Sequence, residues 1–350
     1  MSMPNFEDIP VTTCTMVIKL THKIDHVSSF HFLPITRLDT QASRGSSKCK
    51  LPHCSTPGAI LSMKHDGMVR GIIKNNKSGL KNSVTIDISI SHKNISAKLA
   101  PSSIHMCGLK STDDAYETAN LLIDHVRAVQ RVLDLIHGNL EAAHKAVDWV
   151  KEHTKGPDIS RANWQLITSE KVTLRIDRSE MCSSIIKPSI PVPDDVDLKI
   201  ANFLLSFCDD FVYYHDLAAK LDCVFQVKQI IPPELEIEVL NEHMVNFNYS
   251  LGFSVDRSRL SRLINGRSGF IASFNNGLAH GVKIELPYEL TEEMAARCKK
   301  DKIPHHTILV YKTGSVTQSG PNRKMMRDVY YMFIDLVSEL RPDIEAEPAL

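Results

Sequence analysis

The chain lacks long hydrophobic runs and net charge. Its 41 Lys and Arg residues are matched by 41 Asp and Glu residues. Its longest mainly apolar stretches, such as residues 200–207, fall well short of the about 20 residues that a bilayer-spanning helix needs. The first ten residues, MSMPNFEDIP, are acidic and interrupted by proline, which is not typical of a signal peptide. We therefore expect an intracellular protein without a membrane segment.

The chain also lacks the short motifs that mark common catalytic sites. It has no phosphate-binding G-x-x-x-x-G-K-[ST] loop, no G-x-S-x-G elbow and no H-E-x-x-H helix. His305 and His306 are adjacent, as are Asp209 and Asp210. Because adjacent side chains point apart, neither pair predicts a convergent site. We expect no enzymatic activity and no catalytic residue.

The cysteines do not predict a metal centre. Eight cysteines in 350 residues, without a signal peptide, predict reduced thiols. Cys49, His53 and Cys54 form the one cluster with the residue types of a zinc site. A zinc site needs a second ligand pair at fitting spacing, and none follows. We expect neither a metal nor another cofactor.

Charge is unevenly distributed along the chain. Residues 1–112 contain 14 Lys and Arg against 6 Asp and Glu, so the remainder is acidic. A basic first third suits a surface that faces phosphates. A solvated basic face, balanced by the acidic remainder, explains the same numbers. Charge alone does not decide between these interpretations.

The order of predicted elements indicates an α+β fold. Alternation predicts strands at 11–20, 84–90 and 95–100, and residues 58–74 suit a hairpin. Apolar residues from Tyr116 to Ile136 then follow helical spacing, so a long helix closes the group. Strands followed by a helix are typical of an α+β unit. Residues 197–227 are predicted to be largely helical.

A similar order begins again near Leu235. A strand, a short helix at DRSRLSRLI and strands at GVKIELP, TILVY and VTQSG precede a helix over 323–340. SIHMCG (103–108) and SVTQSG (315–320) each place Ser and Gly before a helix that contains Ile-Asp-x-Val. The shared spacing and element order predict an internal repeat produced by duplication.

The repeated segments resemble the TATA-box-binding protein family. KLAPSSIHMCGLKS (98–111) is similar to the end of that family's first repeat, and LVYKTGSVTQSG (309–320) to the end of its second. The resemblance covers about residues 5–137 and 235–342. It leaves an inserted, mainly helical block at 138–234 and a tail at 343–350. Such long insertions suit divergent family members from large DNA viruses.

The resemblance implies a saddle of two pseudo-symmetric repeats. A curved antiparallel sheet would carry helices on its convex side and bind the minor groove of AT-rich duplex DNA with its concave side. Lys110 would contact phosphate through the family's Gly-x-Lys, and Lys312 is a second candidate. On the concave side the first repeat would present Ala97, Leu99, His105 and Cys107, and the second Leu309, Tyr311, Thr317 and Ser319.

Several positions depart from the family pattern. Leu99 and Tyr311 stand where the family has Phe wedges, Ser103 and Ser315 where it has Lys, and Asp8 where it has Asn. These changes weaken the expectation of TATA-specific kinking. A further basic group, Arg323, Lys324 and Arg327, is expected to solvate the start of a helix rather than bind phosphate.

Three functions remain open at this stage. The first is a DNA-binding protein in transcription initiation, located in the nucleus, a cytoplasmic viral factory or the virion. The second is a structural or protein-interaction module that retains the fold without TATA-specific binding. The third is a regulator that contacts a transcription factor or RNA polymerase through the inserted block.

Overall fold

The computed structural model describes residues 4–36, 54–71, 80–153, 165–167, 173–175, 189–191, 193–206, 221–274, 281–288 and 304–346. The chain forms two compact units. Unit 1 consists of Met1–Met16, Cys107–Ser111 and Asn241–Leu350, and unit 2 of Val17–Met106 and Thr112–Leu240. Unit 1 thus combines the start of the chain with its last third.

The strands of unit 2 form an antiparallel sheet. β2 pairs with β3 and with β4, and β4 pairs with β5. The strand order is β1-β6-β5-β4-β2-β3. β1 and β6 each extend into unit 1. The elements are β1 (Val11–Leu20), α1 (His26–Phe32), β2 (Ile60–His65), β3 (Met68–Gly71), β4 (Val84–Ser89), β5 (Asn94–Ala100) and β6 (Ser103–Leu109).

The helices of unit 2 confirm the predicted apolar stripe. In α2 (Thr112–Gly138) the buried side chains include Leu122, Val126, Val129 and Leu133, which share one face of the helix. α3 (Leu140–His153) and α4 (Leu198–Leu205) follow. Strands β7 (Gln165–Ile167), β8 (Thr173–Arg175) and β9 (Ser189–Pro191) form a separate small sheet. The described part of 138–234 therefore contains strands as well as helices.

Unit 1 also places helices and an antiparallel sheet together. Its strand order is β11-β12-β13-β14-β10, with antiparallel pairing throughout. The buried rings of Phe270 and Phe333 meet edge to face at 6.3 Å. The elements are β10 (Ile237–Ser250), α5 (Arg257–Ile264), β11 (Ile271–Ser273), β12 (Gly281–Pro287), β13 (His305–Tyr311), β14 (Ser315–Gly320) and α6 (Arg323–Ile344).

Both parts of the chain follow the same order of elements. A strand, a short helix, antiparallel strands and a long helix occur from β1 to α2 and again from β10 to α6. In each part the last strand lies beside the first: β6 beside β1, and β14 beside β10. The two short helices begin alike, because Asp25 and Asp256 each accept a hydrogen bond from the backbone three residues on.

The two glycines of the sequence repeat meet different requirements. Gly108 has φ of 89°, a conformation that side chains with a Cβ rarely adopt. Gly320 has no such φ, but a Cβ there would lie 2.5 Å from Met326 Cγ and 2.6 Å from His306 Nδ1. The first glycine therefore allows a backbone turn, and the second allows close packing.

Among the residues described, no helix has the length and apolar character needed to cross a membrane.

Candidate nucleic-acid interface

The strands of unit 1 have one side packed against the core and one side open. In β13 the buried side chains are His306, Ile308 and Val310, and in β14 they include Val316 and Gln318. The alternate positions are only partly buried, as the twofold repeat of a strand requires. We call the latter side the open face of unit 1. It presents Thr307, Leu309, Tyr311, Thr317 and Ser319.

Cross-strand pairing arranges this open face in rows. Leu309 lies between Lys283 and Thr317, and Thr317 also faces Asn248 of β10. In the next row Ser319 faces both Thr307 and Asn246. Paired residues project to the same side of a sheet, so each row is continuous. The four second-repeat residues predicted from sequence thus lie together on one face.

β10 contributes polar residues that sequence reasoning missed. Asn246 and Asn248 alternate with the buried Val245 and Phe247, so they lie on the open face. The Oδ1 atom of Asn246 has no hydrogen-bond partner among the described residues. The alternation of polar and apolar residues in VNFNYS is a pattern that could have revealed them. Glu242 lies four residues before Asn246 on the same strand and is exposed. Because side chains of a strand alternate between its two sides, Glu242 and Asn246 lie on the same side.

The first-repeat prediction is wrong for two of its four strand residues. Ala97 and Leu99 are fully buried, at 0% exposure, and therefore project into the core of unit 2. Their neighbours Ser96 and Lys98 occupy the other side of β5. The physical reason is alternation: Ile95, Ala97 and Leu99 form the apolar set, and burial of that set stabilises the sheet.

The two first-repeat residues on β6 have the predicted exposure. His105 and Cys107 are exposed, whereas Ile104 and Met106 between and beside them are buried. Within unit 1, Thr15 Oγ1 donates to Cys107 Sγ at 3.7 Å. Cys107 thus lies beside a hydroxyl group on the side of β6 that faces away from the buried residues.

A basic row crosses the outward side of unit 2. Lys64 pairs with Thr85, and Thr85 pairs with Lys98. Lys98 is exposed and Lys64 is partly exposed. Asp87, in the next row on this side, is only 8% exposed and lies between Ser62 and Ser96. The solvent-facing charge of this row is therefore positive.

The candidate phosphate contacts lie in different surroundings. Lys110 follows β6, Lys312 follows β13, and both are exposed. Arg323 instead donates to the carbonyl oxygens of Phe6, Glu7 and Ile9 at 3.1, 2.9 and 3.3 Å. Its guanidinium also lies 5.2 Å from the ring centroid of Phe6. Arg323 therefore holds the N-terminal segment.

The other two basic residues at the start of α6 differ from Arg323 in their contacts. Arg327 forms an ion pair with Glu7, with 3.3 Å between Nε and Oε1. Lys324 is exposed. Asp8, compared above with a strand Asn, lies in a 3₁₀ turn (Phe6–Asp8) before β1. That correspondence is therefore wrong, and Asp8 does not belong to the sheet.

Three groups whose pKa values are displaced by burial, His306, Tyr249 and Tyr330, lie behind the sheet of unit 1. Burial lowers the pKa of His306. Burial raises the pKa of Tyr330 to about 12 and raises that of Tyr249 well above its ordinary value. Tyr249 donates to Gln318 Oε1 at 3.1 Å, and Gln318 is fully buried. These groups form a packed polar layer.

No group of metal-ligating side chains occurs within the described part of the chain. Cys49 and His53 of the candidate zinc cluster lie outside it. Cys54 is buried with Ala59 and Leu61, and its backbone N–H donates to Ser89 Oγ at 3.3 Å. Cys54 thus belongs to a small apolar cluster of unit 2.

The described elements define an α+β protein whose strands are mainly antiparallel. No family model matches the chain, and no curated protein is significantly similar to it. Among solved structures, the chain is similar to Methanococcus jannaschii TBP over 96% of its own length and 99% of that chain. The two are 7% identical, with a TM-score of 0.37. At this low TM-score the likeness says nothing about function.

Proposed function

We propose that the chain is a DNA-binding protein of the TATA-box-binding type that acts in transcription initiation. In this proposal it consists of two divergent copies of one half-saddle, with an insertion between them. The repeated element order from β1 to α2 and from β10 to α6 supports the duplication. The motif resemblance of residues 98–111 and 309–320 supports the family. A nuclear or viral-factory location would follow from this function.

The open face of unit 1 is the observation that carries the proposal. Thr307, Thr317, Ser319 and Asn248 present hydroxyl and amide groups from adjacent strands, whose pairing fixes their spacing. Such groups can donate to the acceptors that line the minor groove. Their lack of charge also avoids the cost of burying an ion against the bases. The patch formed by these four residues is uncharged, as expected of a groove contact, whereas Lys283 and Glu285 lie beside it on β12.

Each unit, considered by itself, also carries lysines suited to contact with a DNA backbone. Lys98 and Lys64 lie in one row on the outward side of unit 2. In unit 1, Lys110 follows the end of β6, and Lys312 follows β13. Lysines paired with phosphates release counterions, so binding would weaken as salt is raised. On β5, Lys98 therefore takes the DNA-contacting role that the family resemblance had given to Ala97 and Leu99, which are buried.

The proposal does not require the family's kinking. Leu99 is fully buried in unit 2 and cannot insert between base pairs without unpacking the core. Tyr311, partly exposed at the end of β13, is the remaining candidate wedge of the two. A single wedge would unstack one step rather than two, so we expect a weaker bend than paired wedges produce.

A salt series with a short AT-rich duplex tests the proposal. Binding by the full chain is measured by fluorescence anisotropy for the wild type, for Thr317→Val with Ser319→Ala, and for Tyr311→Ala. Each lost hydrogen bond should weaken binding about fivefold. Ser338→Ala is the matched control, because it removes an exposed hydroxyl from α6. Binding that is absent in the wild type, or equal in all variants, would refute it.

A protein-interaction module remains the second candidate, and acids on the open face favour it. Glu242 is exposed on β10, and Glu285 lies beside Thr307. Glu285 is partly neutralised by Lys283, with 2.7 Å between Nζ and Oε1. Unneutralised acids repel phosphate and attract basic protein surfaces. The interaction module becomes the better interpretation if the wild type does not bind DNA and Glu242→Gln does not bind it either.

A further inference from the structure

A pocket of about 510 Å³ lies in unit 2, away from the strands of its sheet. Its walls are His137 at the end of α2, Leu140 and His144 of α3, and Phe225 and Lys228 of the segment after α4. Sites for small molecules commonly have volumes of roughly 300–1,000 Å³. The pocket therefore has the size of a ligand site.

Hydrogen bonds hold the wall of this pocket in place. His137 Nε2 donates to the carbonyl oxygen of Val227 at 3.0 Å, which fixes the imidazole ring. Gln130 Nε2 donates to the carbonyl oxygen of Lys228 at 3.0 Å. Gln130 Oε1 accepts from the N–H of Ile230 at 2.6 Å. Both ends of the Gln130 side-chain amide thus bind the backbone of residues 228–230. Because α2 holds this segment in place, the pocket is formed before any ligand binds.

The chemistry of the walls is apolar with a cationic rim. The rings of His144 and Phe225 stack at 4.2 Å with an interplanar angle of 23°. Leu140 is 50% exposed and adds an aliphatic surface. The charged or chargeable side chains of the walls are Lys228 and the two histidines, with no acid among the described residues that line it. Glu141 nearby is paired with Lys145.

We propose that this pocket binds a small anion with a planar aromatic body. The ring lies against the His144–Phe225 stack and Leu140, since aromatic surfaces favour offset stacking. The anionic group lies at the Lys228 ammonium, where charge-assisted hydrogen bonds are strongest. Aromatic carboxylates and purine nucleotides share this chemistry. None of the residues that line this pocket belongs to the proposed DNA interface.

Calorimetric titration of the full chain with matched ligands tests the proposal. One pair is 1-naphthoate and neutral 1-naphthamide, and the other is AMP and adenosine. We expect the anion to bind about tenfold more tightly than its neutral partner in at least one pair. The pair that shows the preference identifies the source of the ligand. No binding by either anion, or equal binding of anion and neutral partner in both pairs, would overturn the proposal.

Variants locate the binding. Lys228→Ala should reduce the preference for the anion to within about twofold. Lys199→Ala, an exposed lysine on α4 outside the pocket, should leave it unchanged. Phe225→Leu should weaken both members of a pair by removing the ring, and Tyr311→Ala should have no effect. An anion preference that survives Lys228→Ala, or that Tyr311→Ala abolishes, would place the site elsewhere and overturn the assignment.

Discussion

Arg323 lies over the ring of Phe6, 5.2 Å from its centroid, and donates from Nη2 to that residue's carbonyl oxygen at 3.1 Å. The same guanidinium lies 5.1 Å from the ring of Phe247. Tyr330 Oη adds a hydrogen bond to the carbonyl oxygen of Pro4. The first described residues of the chain are therefore held against β10 and against α6, which lies more than 300 positions away in sequence.

This contact predicts that Arg323→Ala destabilises unit 1 and releases residues 4–9. Hydrogen bonds to a charged group contribute roughly 1.5–3 kcal/mol, so the free energy of unfolding should fall by about that amount. Urea denaturation measures the loss, and amide hydrogen exchange of residues 6–9 reports the release. Lys324→Ala, at the adjacent exposed position, is the control. Equal stability of the two variants would contradict the structural role of Arg323.

Lys98→Ala should weaken DNA binding because it removes one contact between a lysine and a phosphate, and the strength of such contacts depends on salt concentration. Loss of one phosphate contact lowers the slope of log K against log salt by about 0.9. Anisotropy titrations at several salt concentrations measure the slope. Lys324→Ala provides a matched loss of charge on α6 and should not change it. A slope that Lys98→Ala leaves intact would exclude the outward side of β5 from the interface.

Gly320→Ala should overpack the core of unit 1. The added methyl group would meet Met326 Cγ and His306 Nδ1 at less than van der Waals distance. Overpacking costs about 1–3 kcal/mol of unfolding free energy. Met326→Ala should relieve part of this cost in the double variant, because the two sites contact each other. Gly138→Ala, where a Cβ meets open space, is the control. Additive effects at 320 and 326 would argue against the clash.

His306 predicts a loss of stability on mild acidification. Burial lowers its pKa from 6.5 in the folded state, so below about pH 6.5 the unfolded chain takes up the proton first. That uptake favours unfolding, and the effect ends once pH passes below the folded pKa. His306→Phe should reduce the fall in urea midpoint between about pH 7 and pH 5.

The neighbouring residue His305 supplies the comparison for this pH effect. It lies on the opposite side of β13 and is partly exposed. His305→Phe should retain the acid-dependent loss that His306→Phe reduces. A pH dependence that is the same in the wild type and both variants would show that other groups cause it.

The sequence predicted element types well where periodicity was long. The apolar stripe of α2 and the alternation of β5 appear in the structure as predicted. In β4 the polar Asp87 and Ser89 are buried together with the apolar residues, so its alternation does not mark an exposed side. In β5 the alternation also distinguished Ala97 and Leu99 from Lys98. The family resemblance assigned the first two to the ligand side, and the structure shows that the simpler apolar pattern was the better guide.

β13 shows why alternation alone is insufficient. Its residues Ile308, Leu309, Val310 and Tyr311 are all apolar or aromatic, so either set could face the core. Pairing with β14 decides the side, because Leu309 faces Thr317 and Val310 faces Val316. Asn246 and Asn248 join the open face through the register of β10. A one-residue shift would have buried both amides.

The sequence by itself determined the α+β class, the positions of the long helices and the repeated order of elements, because local periodicity and chain order carry that information. Only the tertiary structure decided which side of each strand is open, that Arg323 binds the N-terminal segment, and that residues 137–144 and 225–228 line a common pocket. These features depend on contacts between residues far apart in the chain. Local spacing does not encode such contacts.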